Sequence, residues 1–339
     1  MAAPSGIAIV MCWYETCSHL NVSTQSIVGI ASGHCSVYRE VSLSYSRDEI
    51  KSVVERIQNL PTLPKVAIRI LELASDPEIS IDELSRAIYQ DPALAARVLK
   101  VANSPFYGLP RRVDSLQLAL VILGLADITN IALGITILNV IRNLNPTVAY
   151  NGEKFWVHCA GCGIVARILG RKLNLRSQGA DFTAGLLHDI GKIVIDEHFD
   201  RKFVFLFNKA FTHAPPVLEA ERELLGESHE RIGGWLADKW HLPETLSDAI
   251  LYHHDLPSPD LWASVKEPRL AALSYLAEAF CEHYNVGWDG DFGYSDVRNR
   301  EAWKVVLSEQ DRYTTRDIDV IIKETLQSFH EARPHLLWE

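Results

Sequence analysis

Cysteine is scarce. The chain of 339 residues has 6, at positions 12, 17, 35, 159, 162 and 281, too few and too scattered for a disulfide scaffold, so a reducing, cytoplasmic setting is expected. Basic excess is lacking too: 33 Lys and Arg stand against 43 Asp and Glu, for a formal net charge of −10, and Arg111-Arg112 is only a short basic pair. Phosphate affinity comes from clustered Lys and Arg, so nucleic acid is not the expected main partner and a DNA-binding helical protein is a distant third reading. A secretory leader is not expected either, because the apolar stretch around Ile7 to Trp13 has no basic residue ahead of it and no clean small-residue cleavage site. No clean apolar run spans a bilayer, which takes roughly 20 predominantly apolar residues. Residues 116–141 come nearest, but Asp127, Asn130 and Asn139 interrupt them and Gly124 breaks the helical pattern; two buried helices are expected there, and no membrane partner. Cys159-x-x-Cys162 lacks the second pair that would complete a zinc knuckle. Its helical surroundings put both thiols on one helix face, where they read as structural.

What is present is an ordinary globular composition, 47% hydrophobic and 22% charged, long enough to bury a core without staples. Residues 1–45 differ in texture, with few charges and short β-leaning runs such as Ser36 to Ser44; an extension, a mobile arm or a small hairpin all fit. Helical punctuation follows. Ser46-x-x-Glu49 and Ser80-x-x-Glu83 are capping boxes, Pro64 suits a first helical position, and Asp91-Pro92 is an N-cap followed by Pro at N1. A boundary is expected near 146–151, then a helix from Glu153 to about Leu173. Further helices are expected at Asp181–Asp189, Val217–Leu225 and Ser228–Trp240, after Pro243, after Pro268, and near Arg316–Phe329, with a loop at Gly287–Gly293. No alternating strand pattern lies between them, so the fold class is all-α. The expected division is 1–45, 46–146, 147–285, and a loop and helix over 286–339.

A His-Asp dipeptide carries little information, since a chain with 13 His has about one by chance. Context raises His188-Asp189: apolar residues precede it, and Gly191 and Lys192 follow as a helix stop and a cation. It reads either as a buried His paired with its neighbour or as part of a metal site. His158, His229, His253 and His254 sit on or near other helices, and a bundle can aim such side chains at one point. A carboxylate can bridge two ions while neutral imidazoles complete each shell, the chemistry of metal-assisted phosphoester hydrolysis; Glu278 can add an oxygen. The Asn103–Gly108 segment reads as a tight turn or a partner surface, the turn being favoured. Asp196, His198 and Asp255 read as surface residues.

Several ordered motifs resemble the HDOD family of bacterial signalling domains: Leu60-Pro61-Thr62-Leu63-Pro64, Asp91 to Ala95, Val101 to Gly108, Ala119 to Gly124, Ala184 to Lys192, Glu219-x-Glu221 to His229, and Trp240-x-Leu242-Pro243 leading to His253-His254. The resemblance covers roughly residues 47–285. It implies an all-helical fold with an N-terminal helical bundle packed on a subdomain like that of the HD and HD-GYP metal-dependent phosphohydrolases. It also implies ligand roles for His158, His188, Asp189, His229, His253 and His254, with Glu278 where the pattern closes on Asp. Lys192 matches the basic residue beside the substrate phosphate, and equally suits a cation at a helix C-terminus. His254-Asp255 is followed by Leu256-Pro257, not Gly-Tyr-Pro, so cyclic dinucleotide hydrolysis is not implied.

Two functions are therefore expected in competition. The favoured one is a bacterial, cytoplasmic signalling or regulatory module with a retained, dinuclear metal site, acting on a partner protein or after binding a nucleotide. The other is a metal-dependent phosphohydrolase or phosphodiesterase in which Asp189 and Lys192 are catalytic. Two divalent ions are expected in either case, Fe or Mn ahead of Zn.

Overall fold

The structure, a computed structural model, describes residues 24–31, 34–41, 63–74, 76, 78–109, 111–142, 152–175, 177, 179–198, 218, 221–222, 225–254, 265–287, 296–307 and 314–332. The Ser46 capping box and the expected boundary at 146–151 lie outside the described residues, as does most of the loop at Gly287–Gly293. Near the N-terminus, β1 (Thr24–Ala31) and β2 (His34–Val41) form an antiparallel hairpin in which Thr24 faces Val41 and Ala31 faces His34. Every other regular element among the described residues is helical, so the all-α class holds.

The first helices are α1 (Lys65–Ala74), α2 (Ile81–Tyr89) and α3 (Pro92–Ala102). Both legible caps form. Ser80 accepts from the backbone of Glu83 while Glu83 reaches back to Ser80, and Asp91 accepts from the N–H groups of Ala93 and Leu94 with Pro92 behind it. The Asn103–Gly108 segment is a turn around a short 3-10 helix, Pro105–Tyr107. Asn103 fixes it by donating to the carbonyls of Leu99 and Val113 and accepting from the Val113 N–H.

The long apolar stretch is two helices, α4 (Leu116–Leu123) and α5 (Leu125–Arg142), as its pattern predicts. Gly124 separates them at φ 95°, a conformation that side-chain-bearing residues rarely adopt. The polar residues within the stretch have partners: Asp127 meets Arg167, Asn130 donates to the Ala126 carbonyl, and Asn139 accepts from Arg97. No helix among the described residues is long and apolar enough to cross a membrane.

The second half contains α6 (Gly152–Lys172), α7 (Ala180–Leu187), α8 (Ile190–His198), α9 (His229–Lys239), α10 (Glu244–Tyr252) and α11 (Pro268–His283). Leu218, Glu221, Arg222 and Leu225 are also helical. After them come α12 (Arg300–Leu307) and α13 (Thr315–Ala332), so the segment beyond 286 holds one helix more than its sequence suggests. α12 is short, and its buried Ala302, Trp303, Val305 and Val306 act by packing on α11, which a periodicity reading of eight residues does not resolve.

α6 and α11 are the buried axis of this half, with α7 against both, α10 against α7 and α11, and α8 and α10 against α9. α5 packs on α1 and α3 on one side and on α7 on the other, joining the N-terminal bundle to the rest. An ionic clamp reinforces the joint. Arg167 of α6 meets Asp127 of α5 at 2.6 Å and Asp181 of α7 at 3.2 Å, and its guanidinium lies 4.8 Å from the centre of the buried Tyr107 ring. Burial works against the Arg167 cation, but Asp181, Tyr107 and Asp127 outweigh it and hold its pKa above the ordinary value.

Arg167→Ala leaves two carboxylates without their shared cation, and removing one partner of a buried ion pair costs about 3–5 kcal/mol. A loss of that order is expected in urea unfolding; a change inside about 0.5 kcal/mol would show that the clamp does not join the halves.

Candidate metal centre

Three helix ends and two helix interiors bring ionisable side chains to one buried place. α7 stops at Leu187, so His188 and Asp189 occupy the step into α8; α10 stops at Tyr252, and His253 and His254 follow it. Neighbours inside a helix diverge by about 100°, whereas at a helix end both can turn inward. His229 opens α9 behind its N-cap Ser228. His158 and Glu278 come from the interiors of α6 and α11.

Four of the five rings are held by Nδ1. In His188 it lies 2.8 Å from the Gly185 carbonyl, in His253 2.7 Å from that of Ile250, and in His158 3.3 Å from that of Val286. A carbonyl only accepts, so Nδ1 carries the proton and Nε2 presents its lone pair; that of His158 faces the Cys162 sulfur at 3.4 Å. His229 donates from Nδ1 to Oε2 of Glu221 at 2.7 Å, and the same oxygen accepts the His229 backbone N–H at 2.8 Å. Fixing one ring nitrogen in this way is how proteins orient the other toward a metal ion.

The inward-facing ligand atoms converge. His229 Nε2 is 3.3 Å from His253 Nε2 and 3.3 Å from Asp189 Oδ1; His188 Nε2 is 3.4 Å from Asp189 Oδ2; His254 Nε2 is 3.4 Å from Glu278 Oε1. Bonds of about 2.0–2.1 Å in a tetrahedral arrangement hold two donors about 3.3 Å apart, so these separations suit a divalent ion. Among the sets whose donor atoms lie within 4.8 Å of one another are His158, His188, Asp189 and Glu278, and His229, His253 and His254. His188 Nε2, Asp189 Oδ1 and His254 Nε2 are buried and make no hydrogen bond. Leaving one such atom unsatisfied costs about 1–3 kcal/mol, so three of them in these two donor sets fit a site that could hold a cation.

The electrostatics agree. Burial alone would push the Asp189 carboxyl up, but His188, Lys192 and His229 overcome it and hold it well below the ordinary carboxylate range, so it is ionised. Burial, then neighbouring imidazoles, push His253 and His254 well down, which keeps them neutral and ready to ligate. Burial opposes the His229 cation too, yet the Glu221 carboxylate prevails and raises that ring. Neutral His229 and His253 would face each other lone pair to lone pair; a proton on His229, or an ion in its place, relieves this.

Some local readings change. Gly191 does not stop a helix: it is the second residue of α8, and a Cβ there would lie 1.9 Å from the His229 carbonyl oxygen. It is glycine because α8 and α9 touch backbone to backbone. Lys192 is consequently in the first turn of α8, not at a C-terminus, and is fully buried with Nζ 2.9 Å from Asp189 Oδ2. Asp196 is buried rather than superficial; the His198 side chain and Asp255 lie outside the described residues. Cys159, Cys162 and Cys281 are buried and form no disulfide, and burial, then the neighbouring Cys281, push the Cys162 thiol well up. Glu221, seen in the sequence only as part of a motif, holds His229. A Glu eight residues before a His, with a turn at Gly226 (φ 80°) between them, is the one signal that could have identified it.

The model of the HDOD domain family matches residues 60–256, more than half of the chain. An uncharacterised protein of Treponema pallidum (strain Nichols) is 27% identical over 286 residues, a match covering 83% of this chain and 52% of that protein; the chain thus spans about half the length of this curated relative. Among solved structures, an HDOD domain protein of unknown function from Geobacter sulfurreducens is similar at a TM-score of 0.69 and 27% identity, covering 85% of this chain and 97% of that one. A protein of Shewanella amazonensis SB2B described as a candidate phosphohydrolase shares the fold at a TM-score of 0.62 and 21% identity, covering 84% and 98%.

Two substitutions test this arrangement. Glu221→Gln keeps the shape but weakens the hold on His229, and loss of such an outer partner lowers metal affinity roughly 10–100-fold. Unchanged zinc affinity in a competition titration would remove Glu221 from the site. Gly191→Ala is expected to destabilise the fold by at least the roughly 1–3 kcal/mol of an overpacked core, read as a lower thermal midpoint.

Proposed function

The chain belongs to the HDOD family, and on that footing we propose that it is a bacterial, cytoplasmic signal-transduction module built around a dinuclear divalent-metal centre. One observation carries this reading: seven donor side chains from five helical regions converge on one buried place, and only His254 among them reaches the surface, at 10% exposure. An ion held among buried donors acts on the helices that supply them, which suits a module that reports a state to a partner protein or responds to a bound nucleotide. His158, His188 and Glu278 would hold one ion and His229, His253 and His254 the other. Asp189 would join them, with Oδ1 toward His229 and His253 and Oδ2 toward His188. Imidazole nitrogen and carboxylate oxygen suit Fe, Mn or Zn.

A second reading, hydrolysis of a phosphoester, is favoured by Lys192. Divalent ions supply Lewis acidity that polarises a phosphoester and acidifies water. A buried cation beside Asp189 offsets negative charge growing on a phosphoryl group in a site with little water, where such a charge counts most. The Shewanella amazonensis neighbour described as a candidate phosphohydrolase supports the same direction.

Metal content per chain, measured by mass spectrometry on protein purified without chelator or affinity metal, tests the centre. About two equivalents of Fe, Mn or Zn are expected, and their loss in Asp189→Asn, which keeps the side-chain shape beside Lys192. No bound metal under several growth conditions would defeat both readings. Chelation is expected to lower the thermal midpoint, since an ion at 100 times its Kd stabilises by about 2.7 kcal/mol. Turnover of nucleotide or aryl phosphoesters by the loaded protein, abolished in Asp189→Asn, would replace the signalling reading with the hydrolytic one.

A further inference from the structure

Cys162 lies one helical turn after His158 on the same face of α6, and its Sγ is 3.4 Å from His158 Nε2. A thiol hydrogen-bonded to an imidazole accounts for that distance alone. It does not account for the third atom. His188 Nε2, buried and without a hydrogen bond, completes a group whose three donor atoms lie within 4.8 Å of one another. The separation also suits a shared ion: Zn–N of about 2.0 Å and Zn–S of about 2.3 Å at a tetrahedral angle place N and S about 3.5 Å apart.

We propose that Cys162 is a metal ligand, forming with His158 and His188 a thiolate-bearing set that takes zinc or cobalt in preference to manganese. This rests on the metal-centre reading above. Two donor sets share His158 and His188, one completed by the carboxylates of Asp189 and Glu278 and the other by the Cys162 sulfur. Hard ions favour the oxygen set and softer ones recruit the sulfur, so the identity of the ion decides which helix wall it is bonded to. Binding through sulfur replaces the S–H bond with an S–metal bond and releases that proton to solvent.

The test is cobalt titration of the full chain followed by absorption spectroscopy, with bound cobalt counted independently. Wild-type protein is expected to show a sulfur-to-cobalt charge-transfer band in the near ultraviolet. Cys162→Ser should lose the band yet keep bound cobalt, while Cys281→Ser, altered at the neighbouring thiol, should keep both. Zinc affinity in Cys162→Ser should fall by at least the roughly 10–100-fold that loss of an outer partner costs, with manganese affinity little changed. X-ray absorption at the zinc edge of wild-type protein should show a sulfur scatterer at about 2.3 Å, a readout independent of how well either variant folds. Bound cobalt or zinc without a sulfur signature would overturn the assignment and leave the metal centre standing. A band that survives Cys162→Ser and vanishes in Cys281→Ser would overturn it in favour of Cys281. No bound metal at all would overturn both the assignment and the centre.

Discussion

A carboxylate can be taken out of water only where cations and donors replace its hydration, and Asp189 imposes that condition on several helices at once. Its neighbours are His188 at the end of α7, Lys192 on α8, His229 at the start of α9 and His253 after α10. Lys192 shows how strong the condition is. A cation in the first turn of a helix is disfavoured by the helix dipole, and a fully buried ammonium more so, yet contact with Asp189 holds it there. The helices can be arranged around the carboxylate only if their backbones come close, and the bare Cα of Gly191 against the His229 carbonyl is where that happens.

The same economy governs the imidazoles. His158, His188, His229 and His253 are each tied through one nitrogen to a backbone carbonyl or to Glu221, and so are denied the freedom to turn the other nitrogen away. The rings are oriented before anything binds. That preorganisation lowers the ordering cost of binding, and it also explains how bare donors are tolerated in an otherwise apolar core.

Local rules made part of this legible in advance. Ser80 and Asp91 announce their helices because a cap is a contact within four residues, and Gly124 divides the apolar stretch because its backbone conformation is a property of one position. The donor residues His158, His188, Asp189, His229, His253, His254 and Glu278 could be named from spacing and resemblance, but no rule within the chain says that five distant segments meet. Lys192 and Gly191 were misplaced for a related reason: a glycine followed by a cation is written the same way at a helix stop and at a tight helix crossing. Asp196, Glu221 and the packing of α12 depend on what lies opposite them, which sequence periodicity does not record.

α6 carries His158 and Cys162 near its middle and Arg167 about two and a half turns beyond His158, where the guanidinium covers Tyr107 of the N-terminal turn. A helix transmits translation and rotation along its length with little bending over so short a distance. Ligand geometry at one end and the seating of Tyr107 at the other are therefore two readouts of a single rigid coordinate. Thermodynamic reciprocity then applies: whatever occupies the centre and prefers one seating of α6 shifts the turn toward it, and a partner that grips the turn alters occupancy by the same factor.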